Sequence, residues 1–70
     1  MKNRLEELRA EQHWTQQELA DRVEVSRQTI NSLEGGRYNP SILLAFRLAR
    51  LFKMQVEDIF IYSEEEEKYE

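Results

Sequence analysis

Two helix-start signals stand close together in this chain, and a glycine pair closes the segment that follows the second. Thr15 followed by Glu18 has the spacing of a capping box, in which each side chain satisfies an orphan backbone donor of the first turn. Trp14 before the cap and Leu19 after it have the spacing of a hydrophobic staple. Leu19, Ala20 and Val23 continue as one apolar stripe at helical period. Ser26 is a strong N-cap residue, with Val25 and Ile30 repeating the staple around it. Ile30 and Leu33 form one narrow apolar edge, while Arg27, Gln28, Thr29, Asn31 and Ser32 stay polar. Gly35-Gly36 ends this helix, since glycine takes the left-handed C′ conformation without a Cβ penalty. Ala20 is small where the two helices approach, and Val25 plugs the angle between them.

A helix that buries one edge and presents donors and acceptors on the rest fits the DNA major groove, about 12 Å wide, where base edges carry the sequence information. The segment reads as a helix-turn-helix with residues 26–34 as recognition helix. It resembles the phage-repressor, or Xre, family of transcription regulators. The likeness extends through Leu5, Leu8-Arg9, Thr15-Gln16, Glu18-Leu19-Ala20, Val25-Ser26, Ile30, Leu33-Glu34, Gly36-Arg37, Asn39-Pro40-Ser41, Ala45, Leu48-Ala49 and Phe52, over residues 2–60. The resemblance implies an all-α, five-helix lambda-repressor-like DNA-binding domain. It also implies that Arg9 pairs with Glu34, tying the first helix to the recognition helix. Glu24 departs from the family pattern, standing where glycine is common at the turn. A positive φ there would store strain on the order of 1 kcal/mol.

The rest of the chain predicts three more helices. Asn3 and Glu6 have capping-box spacing, so a helix is expected over 3–12 with Leu5 and Leu8 inward. Asn39-Pro40 is a turn signal, and Ser41 caps a helix reaching about residue 53. Ile42, Leu44, Ala45, Leu48, Ala49 and Phe52 share one broad side of it, with Arg47 and Arg50 opposite. A short last helix is expected over 56–62 with Ile59 and Phe60 inward. The expected core is Leu5, Leu8, Leu19, Ala20, Val23, Val25, Ile30, Leu33, Ala45, Leu48, Ala49, Phe52, Ile59 and Phe60, with no β-sheet. Leu43, Phe46, Leu51, Ile61 and Tyr62 exceed what one small core requires and predict a homodimer built on the C-terminal third.

Composition narrows the function. Seventy residues allow one domain, expected over 1–62, followed by an acidic tail over 63–70. Without cysteine there is neither a disulfide framework nor a thiolate metal site. His13 is the only histidine and has no partners at ligand spacing, so it reads as a polar loop residue and no metal is expected. No phosphate-cradling glycine loop or catalytic constellation occurs, so neither an enzyme nor a cofactor or small-molecule ligand is expected. The N-terminus lacks the apolar run of a signal peptide and no stretch approaches a membrane span, which predicts a soluble cytoplasmic protein. The net charge is −4, but residues 63–70 hold five Glu and one Lys, and residues 1–62 balance nine basic against nine acidic residues. Glu34 is the only acid between Val25 and Met54. The local field, not the total charge, decides what DNA meets.

The expected function is sequence-specific binding of double-stranded DNA by a transcription regulator, a repressor acting as a dimer. Arg27 and Gln28 open the recognition helix, where arginine suits guanine and glutamine suits adenine. Asn31 and Ser32, one turn on, are candidates for a further base contact. Gln16, Ser26 and Thr29 are expected to hold phosphates, helped by helix N-terminal amides. Arg37, Tyr38 and Asn39 are expected to reach the DNA backbone from the loop. The alternative is a protein-interaction module of the same fold, antitoxin-like or anti-repressor, favoured by the acidic tail and disfavoured by the polar, arginine-led helix.

Overall fold

The computed structural model describes residues 1–37 and 39–64. Their elements are β1 (Lys2–Asn3), α1 (Leu5–Glu11), α2 (Gln16–Val23), α3 (Arg27–Glu34), α4 (Ile42–Phe52), α5 (Val56–Ile59) and β2 (Phe60–Ile61). Tyr38 and the greater part of the acidic tail, residues 65–70, lie outside the described residues.

Three of the helices start where short polar side chains meet orphan amides. The Thr15 hydroxyl accepts from the Glu18 amide at 3.1 Å, and the Glu18 carboxylate accepts from the Thr15 amide at 2.8 Å. Ser26 accepts from the Thr29 amide at 3.2 Å, and Ser41 from the Leu44 amide at 3.1 Å. Such caps each contribute about 1 kcal/mol.

The helices surround one core. Leu5, Leu19, Ile30, Leu33, Leu48 and Ile59 are completely buried, joined by Leu8, Ala20, Val23, Ala45, Ala49 and Phe60 as expected, and by Leu44. Val25 and Phe52 are corrections: both are half-buried and pack against the core from its rim. Phe52 meets Trp14 at 5.9 Å between ring centroids, and the Arg22 guanidinium lies 4.2 Å above the Trp14 ring. The cation–π contact keeps this edge of the core beside a charge and therefore partly wet.

The two ends of the fold depart from the helical pattern. The N-cap of α1 is Arg4, without a side-chain cap, and Asn3 is not part of an Asn3–Glu6 capping box. Asn3 instead accepts from the Leu5 amide at 3.1 Å and donates to the Leu33 carbonyl at 2.7 Å. One amide thus satisfies an orphan donor of α1 and adds a second hydrogen bond to the Leu33 carbonyl, which also accepts from the Gly36 amide at 3.0 Å. At the other end α5 stops at Ile59 rather than continuing to residue 62. Phe60 turns extended and pairs antiparallel with Asn3, as Ile61 does with Lys2, so a two-residue ribbon stands where no sheet was expected. Aromatic and β-branched residues favour that conformation, and a helix of so few residues has little propagation energy to oppose it.

Ile42 is a further correction. It is 76% exposed at the first turn of α4, beyond the end of the core it was expected to face. Arg47 is another, since it is not merely a solvent-facing residue. Its guanidinium donates to the Val23 carbonyl at 3.1 Å and satisfies the C-terminal end of α2. Glu24, which ends that helix, has φ 64°, the left-handed conformation that the turn position suggested.

The Glu24 strain is measurable. A left-handed non-glycine residue costs about 1–2 kcal/mol, and glycine returns part of that as added freedom of the unfolded chain. The Glu24–Arg47 ion pair, at 3.6 Å with Glu24 76% exposed, contributes little. Glu24→Gly is therefore expected to raise the melting temperature by a few degrees and Glu24→Val to lower it. A Glu24→Gly protein melting below the parent would show that the turn is not strained.

Candidate nucleic-acid interface

The polar face of α3 is held by two supports. Val23, Ile30 and Leu33 pack α2 and α3 together through the core. An ion pair fixes the far end of α3 to α1. Arg9 Nε lies 2.7 Å from Glu34 Oε2 and Nη2 lies 3.2 Å from Oε1, a two-pronged contact that sets orientation as well as distance. A third donor, Arg9 Nη1, meets the Trp14 carbonyl at 2.9 Å. Both side chains are largely withdrawn from solvent, at 16% and 6% exposure. The hydrogen bonds that Arg9 donates to the Glu34 carboxylate push the Arg9 guanidinium pKa upward.

This pairing has an electrostatic consequence. Glu34 is the only acid between Val25 and Met54, and its charge is spent on Arg9. Arg27 and Arg37 therefore set the field around the face without an opposing carboxylate from that stretch.

The expected DNA-contacting residues fall into three groups. Arg27 and Gln28 are exposed on the first turn of α3, and their side chains make no hydrogen bond or ion pair among the described residues. Ser26 and the half-buried Thr29 form a second group, their hydroxyl oxygens 3.0 Å apart. Gln16, Asn31 and Arg37 form the third and are joined directly. Gln16 Nε2 donates to Glu34 Oε1 at 3.0 Å, Asn31 Nδ2 approaches Gln16 Oε1 at 3.4 Å, and Arg37 Nη2 donates to Asn31 Oδ1 at 2.6 Å. Ser32 is half-buried, and its carbonyl accepts from the Arg37 amide at 3.0 Å. Asn39 is exposed and hydrogen-bonded to none of the other candidates.

Gly36 shapes the exit from this face. Its φ of 73° favours glycine, and a Cβ there would stand a tight 3.3 Å from the Met1 carbonyl. The chain can then leave α3 toward Arg37, whose amide closes back onto Ser32.

Two helices, α2 and α3, with a left-handed turn between them and a polar second helix tied to α1 by an arginine–glutamate pair, form a helix-turn-helix. A profile of the helix-turn-helix family matches residues 5–59. The chain belongs to the Xre-type helix-turn-helix family. An uncharacterised HTH-type transcriptional regulator of Archaeoglobus fulgidus is 54% identical over 66 residues, 94% of this chain and 93% of its own length. One from Methanocaldococcus jannaschii is 50% identical over 66 residues, 94% of this chain and all of its own length. The competence pilus inhibition repressor of Acinetobacter baylyi is 44% identical over 59 residues, 81% of this chain and 52% of the repressor. Membership in this family of HTH-type regulators carries DNA-binding transcription regulation.

Three contributors to the Xre-type site were not foreseen from the sequence. Asn3 holds the Leu33 carbonyl, Arg47 supports the turn, and Gly35 adjoins Arg37. Helical spacing carries no signal for the first two, which join residues 30 and 24 positions apart. The sequence marks Gly35 only as half of a helix stop.

Proposed function

We propose that the protein is a sequence-specific transcriptional repressor that lays α3 in the DNA major groove. The observation that carries this reading is the pair Arg27 and Gln28. Two side chains suited to guanine and adenine stand exposed and uncommitted on the opening turn of a helix that an ion pair holds in place. Ser26, Thr29, Gln16 and Arg37 flank them with phosphate-binding chemistry, and Asn39 adds a loop donor. The named repressor among the relatives supports repression over activation. A cytoplasmic protein fits that role, and no helix among the described residues is long and apolar enough to cross a membrane. Selection of bound sites from random duplexes tests the reading and should return one short consensus. Failure to enrich any sequence, together with no binding at low salt, would favour the interaction-module alternative.

The reading includes a homodimer. Of the unexplained apolar residues, Leu43, Phe46, Ile61 and Tyr62 are exposed, while Leu51 is half-buried and completes the local packing. Ile42 replaces it on the surface. Ile42, Ala45, Phe46 and Ala49 line a groove of about 850 Å³ between α4 and α5. Its rim carries Arg50 and Lys53 on one side and Glu57 and Asp58 on the other. A two-fold interface sets the same surface against itself, so a rim bearing both signs is self-complementary. A second copy covering this groove would give the protein two recognition helices and a palindromic site with half-sites about 34 Å apart. Sedimentation at micromolar concentration should find a dimer, or dimerisation on DNA, that Phe46→Glu abolishes. A monomer with and without DNA would remove the dimer from the proposal.

A further inference from the structure

The chain Glu34–Gln16–Asn31–Arg37 has a direction imposed by its ends. A carboxylate only accepts hydrogen bonds, and a guanidinium only donates them. With Glu34 Oε1 accepting, the Gln16 amide must turn its NH2 inward, 3.0 Å away, and its oxygen outward. That oxygen faces the Asn31 NH2 at 3.4 Å, which turns the Asn31 oxygen toward Arg37 at 2.6 Å. Both ends of the Asn31 amide are thereby occupied. Bidentate recognition of adenine would have to displace these partners or use the one N–H and one lone pair that remain.

A second observation at the same place involves backbone rather than side chain. Gly35 has φ −77°, open to every residue, so conformation does not require glycine there. Space does. A Cβ on Gly35 would stand 2.7 Å from Arg37 Nη1 and 3.3 Å from its Cζ. The Arg37 guanidinium lies across the last turn of α3 in the gap that Gly35 leaves, with Asn31 gripping its outer edge.

We infer that Asn31 and Gly35 are positioning residues that hold the Arg37 guanidinium in place for one DNA phosphate, so that Asn31 serves Arg37 and does not read a base. The inference rests on the DNA-binding reading proposed above and refines it. Asn31 moves from the base-reading set to the phosphate-binding set. The buried Glu34 carboxylate, through Gln16, sets the orientation of a contact two side chains away. An arginine held in one rotamer loses less freedom on binding than a mobile one.

The test measures binding of Asn31→Ala, Gly35→Ala, Arg37→Ala and the two double variants with Arg37→Ala. Specific and scrambled duplexes are used at two salt concentrations, with thermal melts alongside. Arg37→Ala should weaken both duplexes alike and reduce the salt dependence by about one ion. Asn31→Ala and Gly35→Ala should each weaken both duplexes about threefold to tenfold, the cost of ordering one long side chain on binding. Neither should lose anything further once Arg37 is alanine, and all three should melt close to the parent. Asn31→Ala losing only specific binding would overturn the inference, because Asn31 would then read a base. Losses that persist undiminished in the Arg37→Ala background would overturn it as well, since they would not pass through Arg37. Should Arg37→Ala bind every duplex normally, there is no contact to position and the inference fails. In that case Arg27→Ala tells the two failures apart. Its loss of specific binding leaves the DNA reading standing, and its silence removes that reading too.

Discussion

Glu34→Ala is expected to unfold a large share of the protein at room temperature and to lower its melting temperature by well over ~10 °C. Removing one partner of a withdrawn ion pair strands the other, and such changes cost about 3–5 kcal/mol. The pair meets the conditions for that size of effect. Arg9 and Glu34 are 16% and 6% exposed, the contact is two-pronged, and Gln16 adds a third hydrogen bond to the same carboxylate. A chain of 70 residues has little stability in reserve, about 5 kcal/mol or less for its size. The loss should not be read as proof that the pair is stabilising overall. Replacing both partners with apolar residues of similar bulk, as in Arg9→Met with Glu34→Leu, should recover much of the stability. The double variant should nonetheless bind DNA less well, because Gln16 no longer has a carboxylate to orient it. A Glu34→Ala protein that melts with the parent would show the pair to be dispensable, and the anchoring of α3 would then rest on the packing of Ile30 and Leu33 and on the Asn3 bond to the Leu33 carbonyl.

Features that act within one helical turn were legible before the structure. The Thr15–Glu18 box and the Ser26 and Ser41 caps are spacings of three residues, and each formed as expected. The core stripe was legible for the same reason, since Leu19, Ala20 and Val23 declare one face whatever packs on it. The Arg9–Glu34 pair spans 25 positions and came only through family resemblance. Contacts at that separation depend on how helices cross, which periodicity does not encode. Asn3 shows the limit well. Its spacing to Glu6 suggested a local cap, but the pairing of Asn3 with Phe60 carries its amide to Leu33. Residues 60–62 depart from the expected helix for the opposite reason. Their helical and extended preferences are close, and a strand partner at the other end of the chain decided between them. At the interface, residue types suggested which side chains suit DNA. They could not reveal that Gln16, Asn31 and Arg37 are hydrogen-bonded in series while Arg27 and Gln28 are not.

That division makes Arg27 the position where sequence preference should be most sensitive. Arg27→Ala is expected to cost about 1–3 kcal/mol on the specific site and to relax preference at one base pair of each half-site. The side chain is exposed on the first turn of α3, outside the core stripe, so the variant should melt with the parent. Its loss should therefore be a loss of recognition and not of folding. Binding to scrambled duplexes should fall much less, since a residue reading a base edge contributes little where that base is wrong. Arg37→Ala supplies the contrast at equal charge, weakening all sequences alike. Gln28→Ala should relax a neighbouring position, where glutamine favours adenine. The measurement is affinity for specific and scrambled duplexes at two salt concentrations, followed by site selection with each variant. If Arg27→Ala loses both duplexes equally and the salt dependence falls by about one ion, Arg27 is a phosphate contact. Base reading would then pass to Gln28, the remaining uncommitted side chain on that turn. If Arg27→Ala and Arg37→Ala both bind as the parent does, α3 does not meet DNA, and its exposed polar face belongs to a protein partner instead.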